Sequence, residues 1–448
     1  MHRTLRLVVA AALLLFATTA QTADEASLWR VTFDTRWLGP MEAHVEIARD
    51  GETIRGVSLS GAASLLRELA GEHDVSNGLM IFEATSDDDG GYRGTFLAPW
   101  HEGELSFRIE GDSITGTVEG GAFAGALSGV RVQKAEQIRD YISVLDGFDE
   151  VVASKIFSPS DLDTDGYRAF RSTMGEIAAA ASDDMDILFG FHMAWNNDPF
   201  SHFQLRRSQQ TAEQMFAFFD TYRVGFDAAT VEIDGGTATL TVRTMMGADT
   251  IEQIEAAYDT IAEVGADRLI IDLRQNSGGA FAVKPLVEHV IDEPLDAGFF
   301  LSQVWNRDHE APPSNAEALA APLWSGWSIV SFWQSVQERG ITRIRFLPAE
   351  PNFDGEVYVL VDGASASATE LAADAFRASG LATIVGETTA GEMLSQSMFD
   401  VGEGFVVSLP VADYYSLAHG RIEGRGVPVH VETVPEEALA MAQQLMSP

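Results

Sequence analysis

Two serines follow a predicted apolar strand in the C-terminal half of the chain. The strand 357–361 runs into the segment D-G-A-S-A-S-A, which contains Ser365 and Ser367, and a helix is predicted over 367–379. Such a turn can present a nucleophilic hydroxyl, because the first helical turn offers unpaired N–H groups and the positive end of the helix dipole. Those groups could hold the oxyanion of an acyl-transfer reaction. The same serines could instead only cap the helix.

A second predicted strand ends in a pair of glycines. The apolar strand 269–273 leads into D-L-R-Q-N-S-G-G, which begins at Asp272 and ends with Gly278 and Gly279. Ligands of open α/β sheets bind at the carboxyl ends of parallel strands, and glycines there let another backbone approach closely. The glycine turn is therefore a second candidate for part of a functional site.

Four ordered motifs carry a family resemblance. The segments D-L-R-x-N-x-G-G from Asp272, S-A-S-A-x-E from Ser365 and I-V-G-E-x-T-x-G from Ile384 resemble the C-terminal-processing and tricorn-core serine peptidases. The segment I-E-G-x-G-V from Ile422 is similar to the closing motif of that family, although the Pro-Asp pair that usually follows is altered. The resemblance covers roughly residues 135–445 and implies a crotonase-like α/β catalytic domain.

The resemblance also implies roles for individual residues. It makes Ser367 the nucleophile and assigns the oxyanion hole to the backbone N–H of Ala368 together with that of Gly278 or Gly279. The tail-specific branch of the family uses a lysine base at the position that Glu392 occupies here. A serine–lysine dyad is therefore not available at that position.

The tricorn-like branch offers a different base. It uses a histidine preceded by serine, and a late glutamate; Ser201, His202 and Glu423 occupy the matching positions. Histidine suits this role because it is largely unprotonated near neutral pH, and such a base needs an orienting partner. His202 could instead be a polar surface residue, with His419 as the reserve candidate, and Glu423 could only pair with a nearby arginine.

Hydrophobic patterning divides the chain into three regions. Residues 24–133 alternate apolar and polar side chains between glycine turns, which predicts a small antiparallel barrel or sandwich. Residues 134–205 place apolar residues at helical spacing, so a helical segment is expected there. Over residues 206–448 strands and helices alternate, which predicts parallel strands and an α/β domain.

One acidic segment has the pattern of a metal-binding loop. The sequence D-L-D-T-D-G from Asp161 resembles the first half of an EF-hand calcium loop, but the twelfth position, which should be glutamate, is Ser172. The segment could equally be a polar turn before a helix. We therefore expect no metal site, and the serine chemistry requires neither a metal nor an organic cofactor.

Composition restricts the partners. The 448 residues include 67 acidic and 29 basic side chains, for a net charge of −38. Long-range repulsion would oppose binding to nucleic acid or to an anionic membrane. The chain contains no cysteine, which excludes disulfides, thiolate metal sites and a cysteine nucleophile. The sequence leaves the oligomeric state open.

The sequence thus predicts a hydrolase that cleaves peptide bonds through an acyl-enzyme on Ser367. The first alternative is a catalytically inactive peptide- or lipid-binding protein on the same fold, which the missing lysine keeps open. A second alternative is an acyl hydrolase acting on esters or cell-wall peptides. No inserted peptide-binding domain is visible in the sequence.

The N-terminus has the pattern of an export signal. Arg3 and Arg6 precede the apolar run 7–17, and small residues follow. We expect removal of residues 1–20 and a periplasmic or secreted bacterial protein without membrane insertion. N-terminal sequencing of the protein recovered from the periplasm or medium should begin at Gln21, or at Asp24 if cleavage follows Ala23. An uncleaved chain retained in the cytoplasm would contradict export.

Overall fold

The computed structural model describes residues 26–35, 38–70, 78–99, 101–120, 124–196 and 199–446. These residues form two compact units. The first unit comprises the described residues up to Ile142 together with Thr173–Ala194. The second comprises Ser143–Ser172 and the chain from Trp195 onward. The export signal lies outside the described residues.

The first unit contains a closed barrel of eight antiparallel strands. Each strand pairs with the next in sequence, and β1 closes the barrel against β8, with Leu28 opposite Val132. The predicted β-rich region is confirmed, and of the two expected architectures the barrel is the one observed. The strands are β1 (Ser27–Thr35), β2 (Gly39–Asp50), β3 (Thr53–Leu59), β4 (Ile81–Ser86), β5 (Tyr92–Ala98), β6 (His101–Glu110), β7 (Ser113–Glu119) and β8 (Gly125–Val132).

Alternating side chains fill the barrel interior. Phe33, Phe96 and Phe107 are all buried there, as the two-residue period of a strand requires. The recurring strand glycines permit close strand packing. A Cβ on Gly116, for example, would lie 2.1 Å from the carbonyl oxygen of Ser106 on the neighbouring strand, so no side chain fits there.

Two helices complete the first unit, α1 (Ala63–Leu69) and α4 (Asp184–Ala194), together with the C-terminal part of α3 (Asp165–Ala180). Buried carboxylates at the start of α4 accept backbone N–H groups of the barrel. Asp183 accepts from His44 at 2.8 Å, and Asp184 accepts from Glu42 at 3.0 Å. Burial raises the pKa of Asp183 to about 7, although the hydrogen bonds with His44 oppose that rise.

The second unit contains two six-stranded sheets. In the first, β11, β12, β15, β16 and β20 run parallel, and β10 is antiparallel at one edge. In the second, β13 and β17 lie on either side of β18, and β9 also pairs with β18. The strands are β9 (Gln204–Arg207), β10 (Ala229–Asp234), β11 (Thr237–Val242), β12 (Arg268–Asp272), β13 (Leu295–Ser302), β14 (Ile341–Phe346), β15 (Glu356–Val361), β16 (Ala382–Gly386), β17 (Ser395–Gly402), β18 (Phe405–Ser416), β19 (Gly420–Arg421) and β20 (Val431–Glu432).

Helices pack against these sheets around one large apolar core. The strands predicted at 269–273 and 357–361 are present within one residue as β12 and β15, and so is the helix predicted after β15. The helices are α2 (Tyr141–Lys155), α3 (Asp165–Ala180), α5 (Ala212–Phe219), α6 (Ala248–Val264), α7 (Val283–Glu288), α8 (Gln303–Asp308), α9 (Asn315–Ala320), α10 (Ile329–Arg339), α11 (Ala368–Ser379) and α12 (Ala438–Leu445), of which α2 and α3 are shared between the units.

The acidic EF-hand-like segment forms a turn. It folds into a 3₁₀ turn, Pro159–Asp163, and the start of α3, where Asp165 pairs with Arg168. Across the described ranges, no three acidic, histidine or cysteine side chains are arranged to hold a metal ion. In the same ranges no helix combines the length and apolar character that crossing a membrane requires.

Candidate active site

Ser367 occupies a sharp turn between β15 and α11. Its backbone has φ of 54°, which a residue with a Cβ adopts only at an energetic cost, and the residue is half-buried. Its N–H donates to the carbonyl of Glu392 at 3.0 Å and to Oε2 of Glu370 at 3.1 Å. The surrounding hydrogen bonds therefore maintain a strained conformation that the turn would not adopt by itself.

Two polar side chains join the serine turn to the glycine turn. The buried carboxylate of Asp362 accepts the backbone N–H of Gln275 at 3.1 Å and also binds its side-chain amide. The hydroxyl of Ser365 donates to the carbonyl of Leu273 at 2.9 Å. Ser365 is fully buried in this role, so it fixes the turn, and Ser367 remains the serine whose side chain can reach a substrate.

Gly278 and Gly279 differ in whether the backbone N–H group already has a hydrogen-bond acceptor. A Cβ on Gly278 would lie 2.8 Å from Cβ of Ser367 and 2.9 Å from N of Ala368, so only glycine allows the turns to meet. The N–H of Gly278 donates to Oδ1 of Asn276 at 2.9 Å. Within the described residues, the N–H groups of Gly279 and Ala368 make no hydrogen bond.

Glu370 links the serine turn to the loop that precedes β17. Its buried carboxylate accepts four hydrogen bonds: from the N–H of Ser367, the hydroxyl of Thr389 at 2.6 Å, and the N–H groups of Gly391 and Glu392 at 2.8 Å. Burial raises the pKa of Glu370 to about 7, although these hydrogen bonds act in the opposite direction. The carboxylate thus fixes the loop that places the Glu392 carbonyl against Ser367.

Glu423 connects that loop to the segment that carries His202. One carboxylate oxygen accepts the N–H of Met393 at 2.7 Å, and the other accepts the N–H of Ser201 at 3.0 Å. The hydroxyl of Ser201 lies 2.7 Å from Nδ1 of His202. A chain of hydrogen bonds and peptide links therefore runs from Ser367 through the loop and Glu423 to the imidazole.

His202 is also strained, with φ of 60°. The buried rings of Phe200 and Phe203 flank it in sequence. Although part of the residue surface stays exposed, His202 lies deep enough among protein atoms that burial lowers the pKa of its imidazole to about 4. The ring is therefore neutral at physiological pH.

Backbone strain is concentrated at these segments. Among the described non-glycine residues, positive φ occurs at His202, Gln275, Ser367 and Glu403. The first three belong to the histidine segment, the glycine turn and the serine turn. Strained residues cluster at functional sites because the surrounding fold can hold a geometry that chemistry requires.

No lysine occupies the position next to the serine turn. Glu392 is there, half-buried, and burial together with the negative charge of Glu423 raises the pKa of its carboxyl. The chain has three lysines. Lys134 and Lys284 each pair with a nearby glutamate, and Nζ of Lys155 lies 5.9 Å from the ring centre of Phe399.

The reserve histidine is bound elsewhere. Nδ1 of His419 lies 2.7 Å from Oδ1 of the buried Asp374, which also accepts from the hydroxyl of Tyr414 at 2.9 Å. Asp374 is seven residues after Ser367 on α11, which corresponds to about 10 Å along a helix. His419 therefore belongs to a separate buried cluster further along α11.

Glu370, Asp362 and Glu392 shape the site, although no role for them followed from the sequence. Glu370 had a recognisable signal, because an acidic residue three positions after a serine at a helix start is the capping-box pattern. Asp362 had no comparable signal, since its partners lie on a different loop.

The second unit is thus a mixed α/β domain with a strained serine between β15 and α11. Residues 236–433 match the model of peptidase family S41. The resemblance to this family is therefore confirmed over that region of the chain.

Carboxyl-terminal-processing proteases match part of the chain. It is 30% identical over 190 residues to a carboxyl-terminal-processing protease of Picosynechococcus, covering 42% of this chain and 37% of that protein. It is 28% identical over 201 residues to the Synechocystis protein of the same description, covering 45% and 38%. The chain thus matches less than two fifths of the length of these relatives.

Solved structures give a broader but weaker likeness. A putative peptidase from Parabacteroides merdae has 12% identity and a TM-score of 0.47, covering 69% of this chain and 98% of the other. The photosystem II D1 C-terminal processing protease has 15% identity and a TM-score of 0.33, covering 95% and 76%.

Replacing Glu370 by glutamine should destabilise the second unit. The amide would direct an NH₂ group at N–H and hydroxyl donors, so at least two hydrogen bonds would be lost, at a cost of about 1–3 kcal/mol in the free energy of unfolding. Urea unfolding would measure this cost. Glu356→Gln, at an exposed position at the start of β15, is the matched control, and equal unfolding midpoints for both variants would contradict the role given to Glu370.

Proposed function

We propose that this protein is a serine peptidase in which Ser367 is the nucleophile and His202 is the general base. The observation that carries the proposal is the hydrogen-bonded connection through Glu423, which ties the segment of His202 to the loop that contacts Ser367. The match to peptidase family S41 supports peptide bonds as the reactive group. A protein or peptide is therefore the proposed substrate.

The proposed reaction begins with the orientation of the imidazole. If the hydroxyl of Ser201 accepts the Nδ1–H of His202, Nε2 is left unprotonated and can take the proton of the Ser367 hydroxyl. The serine oxygen then attacks the peptide carbonyl. His202 returns the proton to the leaving amine, and a water molecule hydrolyses the acyl-enzyme by the same steps.

The oxyanion is best served by N–H groups that have no other acceptor. The N–H groups of Gly279 and Ala368 meet this condition, whereas the N–H of Gly278 already donates to Asn276. We therefore assign the oxyanion hole to Gly279 and Ala368 and give Gly278 the task of close packing against Ser367. Preorganised donors of this kind contribute strongly because they need no rearrangement during the reaction.

In this scheme Glu423 and Ser201 are positioning residues for the imidazole of His202. Glu423 fixes the peptide of Ser201, and Ser201 fixes the imidazole tautomer. No metal ion or organic cofactor enters any step.

The finer features of the architecture and location are also proposals. The α/β unit is proposed to be crotonase-like, as the parallel sheet with its following helices suggests. Domain boundaries are proposed at 24–133 for the β domain, 134–205 for the helical segment and 206–448 for the catalytic domain. Export to the periplasm or medium rests on the residues 1–20. The net charge of −38 disfavours nucleic acid as a partner.

The alternative is a catalytically inactive binding protein on this fold. The observation that favours it is Glu392, a carboxylate where the tail-specific branch has its lysine. Covalent labelling separates the two functions, because an inactive site would not activate a serine.

A fluorophosphonate probe should label the wild-type protein at Ser367 alone. Ser367→Ala should abolish labelling, and His202→Gln should slow it by roughly 100-fold or more, because the base would be missing. Intact-mass spectrometry over time measures both effects. Ser154→Ala, at an exposed position on α2, is the control and should label at the wild-type rate. An unlabelled wild-type protein would favour the inactive binding protein.

The labelling rate should rise with pH through about 4. Burial lowers the pKa of His202 to about 4, so the unprotonated, basic form of the ring prevails above that pH. The rate should then be nearly constant from pH 6 to 8. Glu392→Gln should keep this profile, which would exclude titration of the neighbouring carboxyl as its source. A midpoint near the ordinary histidine value of about 6.5 would contradict the buried environment given to His202.

A further inference from the structure

Two parallel strands lead away from the candidate site on either side of β18. Strand β9 begins at Gln204, two residues after His202, and β17 begins at Ser395, three residues after Glu392. Both pair antiparallel with β18, so both run in the same direction. These three strands therefore continue outward from the segments of His202 and Ser367, with the side chains of β17 and β9 flanking the buried β18.

The register places Arg206 on one face of this surface. Arg206 lies opposite Val406, which lies opposite Asp400, and the next row on the same face, two residues further along, contains Gln204, Ser408 and Met398. Because residues directly opposite each other share a face, Arg206 and Met398 are on the same side of the sheet. Helix α5 contributes Met215 to that side.

The guanidinium of Arg206 has only sulfur neighbours as hydrogen-bond partners. Its Nη2 lies 2.7 Å from Sδ of Met215 and 3.9 Å from Sδ of Met398, and its Nε is buried with no acceptor. No carboxylate of the described residues forms an ion pair with it. Desolvation of a cation is unfavourable without a counter-charge, so its position in a chain of net charge −38 calls for an anionic ligand.

The next residue along β9, Arg207, has different hydrogen-bond partners from Arg206. Arg207 projects to the opposite face of β9, where its guanidinium donates to the carbonyl of Glu403 and lies 4.9 Å from the ring centre of Phe405. The two arginines are therefore neighbours in sequence with different surroundings. Nε of Arg207 is also buried without an acceptor, but the Arg207 guanidinium has a backbone acceptor, whereas that of Arg206 hydrogen-bonds only to sulfur atoms of the described residues.

A second unused polar atom lies on the face of Arg206. Oε1 of Gln396 is buried without a hydrogen-bond partner, and Gln396 is two residues before Met398 on β17, closer to the candidate site. Arg206 thus offers an unpaired donor and Gln396 an unpaired acceptor on the same face. An extended peptide could satisfy both, because it carries carboxylates that accept and N–H groups that donate.

We propose that Arg206 is a specificity residue that binds a carboxylate of the peptide substrate. This inference rests on the proposed peptidase function. Arg206 follows His202 by four residues, which corresponds to about 13 Å along a strand and to about four residues of an extended peptide. The acidic group therefore lies about four residues from the scissile bond. A free C-terminal carboxylate and an aspartate or glutamate side chain supply the same chemistry.

Three pools of short peptides without internal acidic residues test the proposal. The first pool has a free C-terminal carboxylate, the second a C-terminal amide, and the third an amide plus one internal glutamate. The wild-type protein should cleave the first or third pool at least about tenfold faster than the second, as judged by mass spectrometry. The favoured pool identifies the source of the carboxylate.

Two substitutions on β9 separate the subsite from general damage. Arg206→Met should bring cleavage of all three pools within about twofold of each other, whereas Arg207→Met should keep the wild-type preference. Arg206→Lys should retain part of it. Arg206→Met removes a poorly compensated charge, so its thermal stability should equal or exceed that of the wild type.

Binding to Ser367→Ala distinguishes failure of the subsite from failure of the peptidase. If this variant retains the carboxylate pools over the amide pool and Arg206→Met removes that preference, the subsite is correct even if the wild type cleaves nothing. If the wild type cleaves all pools equally and Ser367→Ala binds them equally, the subsite is wrong while the peptidase function stands.

Discussion

The candidate site depends on the carboxylate of Glu423, whose two oxygens join segments that are far apart in sequence. Ser201 and Glu423 are separated by 222 positions, and Met393 precedes Glu423 by 30. Because Glu423 is almost fully buried, each of these hydrogen bonds operates in a medium of low dielectric constant, where it is strong and where its loss is costly. The pairing of β9 and β17 with β18 brings these segments near each other, and the Glu423 carboxylate adds a direct link between the peptide of Ser201 and the loop that contacts Ser367.

A second buried carboxylate performs the same task one step closer to the serine. Glu370 accepts four hydrogen bonds from the serine turn and from the loop before β17, and these contacts maintain the strained φ of Ser367. The site is therefore held together largely by backbone N–H groups that donate to the carboxylate oxygens of Glu370 and Glu423. Such groups do not depend on side-chain identity, so the hydrogen bond from the N–H of Glu392 to Glu370 does not require a particular side chain at position 392.

Electrostatics in this molecule differ between the surface and the interior. The chain is strongly acidic overall, yet the groups of the candidate site are shifted toward neutrality: the pKa of His202 is lowered to about 4, and that of Glu370 is raised to about 7. Burial has this effect on both because it disfavours the charged form of each group. Arg206 remains charged because a guanidinium cannot give up its proton at accessible pH, and this makes it the exceptional group on its surface.

Much of the fold followed from local patterns. The alternation and glycine turns of residues 24–133 determined a β-rich region, and the strand–helix order after residue 206 determined parallel pairing, because each signal arises within a few neighbouring residues. The motifs around Ser367 and Gly278 were readable for the same reason: a tight turn needs small residues at fixed positions. Closure of the barrel required the pairing of β1 with β8, which are about a hundred residues apart and leave no local trace.

Tertiary structure alone decided how the site residues relate to one another. The motif position favoured His202 and left His419 as the reserve candidate, whereas the fold shows that His419 is bound to Asp374 and that the segment of His202 is linked to the loop beside Ser367. It also distinguished Gly278 from Gly279, because the acceptor of the Gly278 N–H is a neighbouring asparagine oxygen. The sequence by itself determined which chemical groups are present and which turns can hold them. Their distances depend on contacts between segments hundreds of residues apart, and those contacts exist only in the folded chain.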